Sequence, residues 1–106
     1  MSIPEIDVSD LAQELEAGAR LIDVREPDEY AAVHVPGAEL IPLGTVPEQL
    51  DCFSGEGTTY VICRSGSRSM RACEFVAQHT GASVMNVAGG TNAWVESGRP
   101  TASGSQ

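Results

Sequence analysis

The stretch Thr59-Tyr60-Val61-Ile62-Cys63-Arg64-Ser65-Gly66-Ser67-Arg68 decides how the chain folds. Its first half is a short β-branched, aromatic and apolar run, the pattern of a strand covered on both faces in the middle of a sheet. Its second half is a turn of small residues and arginines. Beyond it Met70, Cys73, Val76 and Ala77 recur at i, i+3, i+6 and i+7, the apolar stripe of a helix from about Arg68 to His79 that Gly81 is placed to end. Strand, tight loop and helix in that order open a βα crossover.

Outward from this unit the same alternation recurs. Upstream, Glu5 to Val8 reads as a short edge strand, and Asp10-Leu11-Ala12-Gln13-Glu14-Leu15 as a helix with a capping-type Asp-x-x-Gln and a stop at Gly18. Leu21 to Arg25 is strand-like, and Pro27 opens a helix over Asp28 to Val33. Glu39 to Leu43 is extended, Pro47 to Leu50 a helical turn, and Ser54 to Gly57 a loop. Downstream, Ser83 to Val87 is a strand broken by Gly89-Gly90, and Thr91 to Glu96 a last helix closed by Ser97-Gly98-Arg99-Pro100. The small, polar tail Thr101 to Gln106 reads as frayed, which leaves residues 1–100 as a single domain. The alternation predicts an α/β fold with a mainly parallel central sheet of about five strands and helices on both faces. Sites in such sheets gather beyond the carboxyl ends of the strands. Cys63 occupies that position.

Composition narrows the function. The 106 residues are 42% hydrophobic and 20% charged, enough apolar material for one core. Fifteen acids stand against 6 bases, all arginine, for a formal charge of −9. That excludes nucleic acid or an anionic membrane as the main partner, since both reward a basic surface. Arg64, Arg68 and Arg71 lie in the acid-free segment Cys63 to Arg71, which carries +3, and the other 97 residues carry −12. A local anion site on an acidic body follows. No apolar run approaches a membrane span, and the amino terminus has neither a basic region nor an apolar one, so a cytoplasmic protein is expected. The cysteines at 52, 63 and 73 lack Cys-x-x-Cys spacing and predict neither a disulfide framework nor a zinc site.

A thiol attacks as its thiolate, and an unperturbed cysteine, with a pKa of about 8.5, is only slightly ionised at neutral pH. The loop after Cys63 supplies what the anion needs. Ser65, Gly66 and Ser67 let successive backbone N–H groups curl inward, the helix that follows directs its positive end at the same spot, and Arg64 and Arg68 add full charges. Cys73, on the apolar helix face, and Cys52, in a loop without nearby bases, read as structural.

Four segments in order resemble the rhodanese-like sulfurtransferase family. Leu21 to Tyr30 looks like its Asp-Val-Arg segment, and Tyr30 to Ala38 like its aromatic-x-x-x-His-aliphatic-Pro-Gly-Ala motif. Cys63 to Ser69 is similar to the active-site loop, and Asn86 to Trp94 to the closing Gly-Gly-x-x-x-Trp segment. Together they cover about Glu5 to Pro100, in one unit with no internal repeat. The resemblance implies a catalytic Cys63 that accepts a sulfane sulfur, becomes a persulfide, and passes the outer sulfur to cyanide or a thiol, with no metal or organic cofactor. Arg64 and Arg68 are the candidates for holding an anionic donor such as thiosulfate, and Ser65, Gly66 and Ser67 contribute mainly backbone. Asp23 and Arg25, at the end of a neighbouring strand, read as a supporting ion pair. His34 reads as a turn residue holding backbone groups rather than a general base, and Trp94 as packing the last helix onto the sheet. Two rival readings stand beside this one. Phosphatases of the same fold class carry one more residue between cysteine and arginine than the six-residue span Cys63 to Arg68. The other is a persulfide carrier, or a binding module serving a partner protein; an intact Cys63 argues against pure binding but does not separate a carrier from a free-standing enzyme. The departure from the family pattern is Val33, where relatives often have glycine.

Overall fold

The computed structural model describes residues 3–104. Five strands form one sheet: β1 (Glu5–Ile6), β2 (Arg20–Asp23), β3 (Glu39–Leu40), β4 (Thr59–Ile62) and β5 (Val84–Val87). Their order is β1-β5-β4-β2-β3, and every pairing is parallel. β4 is central, and all four of its residues are buried. The helices are α1 (Val8–Glu16), α2 (Pro27–Ala32), α3 (Ser67–Thr80) and α4 (Gly90–Glu96).

The alternation of side chains along each strand builds two cores. Ile22, Val24, Val61 and Val84 face α3 and two 3₁₀ turns, Leu43–Glu48 and Leu50–Phe53, whose Val46 and Phe53 are buried with them. Leu21, Tyr60, Ile62 and Val87 face the opposite way and bury Leu11 of α1, Tyr30 of α2 and Trp94 of α4. Helices thus cover both faces. From β2 the chain moves to β3 on one side, and from β4 it moves to β5 on the other. Connections leaving the adjacent strands β2 and β4 diverge, which opens a crevice beyond their carboxyl ends.

β2 ends at Asp23 rather than Arg25, the helical turn expected over Pro47 to Leu50 is two 3₁₀ turns, and three further departures from the sequence reading have a hydrogen-bonding reason. The first strand stops at Ile6 because Asp7 leaves the ladder to cap α1, its carboxylate accepting the Asp10 N–H at 2.8 Å. The cap is therefore Asp7 and not Asp10. Past Leu40 the extended chain continues through Ile41 N–H to Asp23 O and Leu43 N–H to Val24 O, but Pro42 has no N–H to extend the ladder. The tail is held through residue 104: Ala102 exchanges both backbone hydrogen bonds with His34, and Gly104 N–H donates to Ala31 O. The remaining tail residues, Ser105 and Gln106, lie outside the described ones.

Candidate active site

Cys63 follows the last residue of β4 directly and is 1% exposed. The Gly66 N–H donates to its Sγ at 3.1 Å, and the Ser69 hydroxyl lies 3.2 Å from the same atom. Gly66 adopts φ +113°, a left-handed conformation open to glycine, and this turns its N–H inward just before α3 begins. Burial alone pushes the Cys63 thiol up. The Ser69 hydroxyl and the N–H groups of Ser69, Gly66 and Ser65 more than offset it and bring the thiol below its ordinary value. Cys73 lies deeper on α3 and has no such donors. Burial, then the charges of Glu74 and Cys63, push it up to about 12.

The loop is fixed from behind. The N–H and hydroxyl of Thr91 both donate to Cys63 O, at 2.8 and 3.0 Å, and Asn92 N–H donates to Arg64 O at 3.0 Å. The amino end of α4 thus occupies the outward carbonyls of the loop while its N–H groups stay turned toward sulfur. Such contact requires close approach at Gly90, where a Cβ would lie 2.6 Å from the backbone of Cys63 and Arg64. In the sequence Gly89-Gly90 reads as a strand breaker and as part of the Gly-Gly-x-x-x-Trp segment, neither of which shows this contact.

The Rhodanese-like domain family model matches residues 7–97. The chain belongs to the rhodanese-like family. It is 37% identical to the putative sulfurtransferase YtwF of Bacillus subtilis over 94% of this chain and 98% of that protein. It is also 36% identical to the putative sulfur carrier protein YrkF of the same organism, over 88% of this chain but 51% of that longer protein. A crystal structure of a rhodanese-related protein from Thermoplasma volcanium superposes with a TM-score of 0.86 at 31% identity, covering 93% and 97% of the two chains. The family is one of sulfurtransferases and sulfur carriers.

Within this rhodanese-like domain the two loop arginines differ. Arg68 forms a two-pronged ion pair with Glu29 of α2, at 2.8 and 2.9 Å. The guanidinium beside Glu29 outweighs a small burial penalty and holds that carboxyl at about 2. Arg64 is exposed and has no side-chain partner among the described residues. It lines an open cleft of about 410 Å³ with Arg25, Glu29, Thr91 and Val95. Ser65 and Ser67 are exposed on the loop; among the described residues the sulfur's donors include the Ser65 N–H and not Ser67.

Asp23 and Arg25 make the expected buried pair. The guanidinium meets both carboxylate oxygens, at 2.8 to 3.1 Å, and also donates to Val33 O at 2.7 Å. The pair anchors the turn after α2 rather than the sulfur. His34 stacks on Tyr30 with ring centroids 3.7 Å apart, and its Nδ1 lies 2.6 Å from Tyr30 O, so it holds backbone as predicted. Trp94 is buried and donates its indole N–H to Pro100 O at 2.8 Å. Among the described residues no cluster of three or more His, Cys, Asp or Glu side chains converges to hold a metal. No helix among them is long and apolar enough to cross a membrane.

Sequence reading missed Ser69, Asn86 and Thr91 as parts of the site. Ser69 was visible as the last residue of the loop segment, within the first turn of α3, where its side chain returns over the loop. Asn86 is a polar residue in an otherwise apolar strand, a signal that calls for a buried partner.

Proposed function

We propose that the domain transfers sulfane sulfur through a Cys63 persulfide. The Cys63 thiolate attacks the outer sulfur of a small anionic donor such as thiosulfate. A sulfur–sulfur bond forms, and the bond to sulfite breaks with its electron pair leaving on sulfite. A nucleophile, cyanide or a thiol, then takes the outer sulfur and returns the thiolate. The observation that supports this reading best is the buried sulfur held by Gly66 N–H and the Ser69 hydroxyl. Such a cradle stabilises an anion without a neighbouring base and suits a nucleophile that works as a thiolate.

Arg64, free of a protein counter-ion among the described residues, is the better cation for the donor's anionic group. Incubation with thiosulfate followed by mass spectrometry tests the proposal. The expected result is a mass gain of one sulfur atom on the Cys63 peptide, absent from a Cys63→Ser variant with an unchanged circular dichroism spectrum. An unmodified Cys63 in folded protein would reject it.

A second reading is delivery to or from a protein partner, favoured by the −12 that residues outside the loop carry and by the likeness to a putative sulfur carrier. Sulfur that leaves Cys63 for a partner's thiol but not for cyanide would select it.

A further inference from the structure

Ser69 faces two hydrogen-bond partners with one proton to give. Its Oγ lies 3.2 Å from Cys63 Sγ and 2.5 Å from Asn86 Oδ1. A hydroxyl carries a single O–H donor, so it serves one of them at a time. The atom that Asn86 presents is fixed by its other end. Asn86 Nδ2 donates to Glu5 Oε2 at 2.8 Å and to Gly66 O at 3.1 Å, both acceptors. Turning the amide over would set its oxygen against those two oxygens, so the group toward Ser69 is an acceptor. Asn86 is 0% exposed, and on β5 it lies in register between Glu5 of β1 and Val61 of β4.

We infer that Asn86 is a positioning residue that competes with Cys63 for the Ser69 hydroxyl proton, making Ser69 a two-position switch. With Cys63 as a thiol, S–H donates to Ser69 Oγ and the Ser69 O–H donates to Asn86. With Cys63 as a thiolate, the Ser69 O–H turns to sulfur and Asn86 Oδ1 loses its donor. Asn86 therefore holds back ionisation of the free enzyme. In a persulfide, a state that rests on the proposed function, the charge moves to the outer sulfur and the Ser69 O–H is released to Asn86 again. The switch thus opposes the bare thiolate but not the loaded enzyme. The other charged or titratable groups about this sulfur are Arg64 on the loop, Arg68 and Cys73 on α3, Glu29 on α2, Asp23 at the end of β2 with Arg25 just beyond it, and Glu5 on β1. Among these, Asn86 bonds directly to Glu5 alone.

The test is the pH dependence of Cys63 alkylation by iodoacetamide, without any sulfur donor, read on the Cys63 peptide. Asn86→Leu is expected to lower the half-ionisation pH by about one unit, tenfold in the thiolate-to-thiol ratio, and Ser69→Ala to raise it by a similar amount. In the Ser69→Ala background Asn86→Leu has no further effect, and Ser69→Thr restores the wild-type value. Glu5→Gln keeps an acceptor toward Asn86 and leaves the midpoint in place. An equal shift in both backgrounds, or a rise with Asn86→Leu, overturns the inference. A second measurement needs no change at position 86. In the wild type the Asn86 side-chain amide resonances should titrate with the Cys63 midpoint, and in Ser69→Ala they should not. Resonances indifferent to Cys63 ionisation in the wild type also overturn it. A sulfur-loading failure would leave these titrations unchanged, so the two ideas fail separately.

Discussion

Arg64 and Arg68 flank one loop, yet an incoming anion meets them in different states. Arg68 already has the Glu29 carboxylate, whose charge cancels its own, and an anion there would have to displace a two-pronged partner. Arg64 carries an unneutralised charge into the cleft. On the proposed sulfur-transfer reading, Arg64→Ala should raise KM for thiosulfate by about tenfold with a smaller change in kcat, the loss of one charge-assisted hydrogen bond. Arg68→Ala, made together with Glu29→Gln so that no carboxylate is left unpaired at the loop, should raise KM less, because the guanidinium committed to Glu29 is not free to bind the donor. Steady-state kinetics on both variants decides between them, and the reverse ranking would assign the anion to Arg68. The sequence makes these two arginines look equivalent. Their difference comes from Glu29, 39 residues before Arg68 along the chain, which local spacing cannot bring to it.

At the scale of elements, the Glu29–Arg68 pair ties α2 to α3. Glu29 also accepts the Glu26 N–H at 3.0 Å in the capping box that starts α2, so one carboxylate serves two helix starts. Its folded value of about 2 lies below the ordinary 4.5. A depressed carboxyl contributes stability that is present above the ordinary value and lost as the pH falls toward the folded one. Partial exposure and solvent screening hold the contribution to about 1 kcal/mol. Urea unfolding should therefore show the wild type losing about that much more than Arg68→Ala between about pH 5 and about pH 2. Equal losses would mean that the pair contributes nothing.

The unit β4, loop and α3 is legible in the sequence because its signals are local: an apolar run, a small-residue turn, a helical stripe and a stopping glycine. The β1 boundary and the α1 cap were not, because Asp7 and Asp10 are both acceptable caps and the chain's exit from the sheet chooses between them. Gly90 and Asn86 reach the sulfur only once β5 lies beside β4 and α4 turns back over the loop, and that adjacency belongs to tertiary structure.

At the scale of the whole molecule, −12 surrounds a loop segment of +3, for a net charge of −9. At about 0.01 M salt the screening length of about 30 Å exceeds the 12.4 Å radius of gyration, so a dianion meets the net charge. At about 0.15 M it falls to about 8 Å, and the loop's own arginines dominate the approach. If thiosulfate is a substrate, kcat/KM should rise with ionic strength over this range. A fall would mean that the arginines steer the donor even against the net field.

Asn86 also gives the outermost strand a say in the chemistry. β1 is only two residues long and is joined to the sheet along a single side, so its opening is the kind of local fluctuation that costs little. When it lifts, Glu5 leaves Asn86, Gly66 O alone is left to keep the amide oxygen toward Ser69, and the inferred switch, less firmly set, passes the change on to the sulfur. The nucleophile thereby acts as a gauge of the fold's edge, registering at the centre of the sheet an event that takes place at its margin.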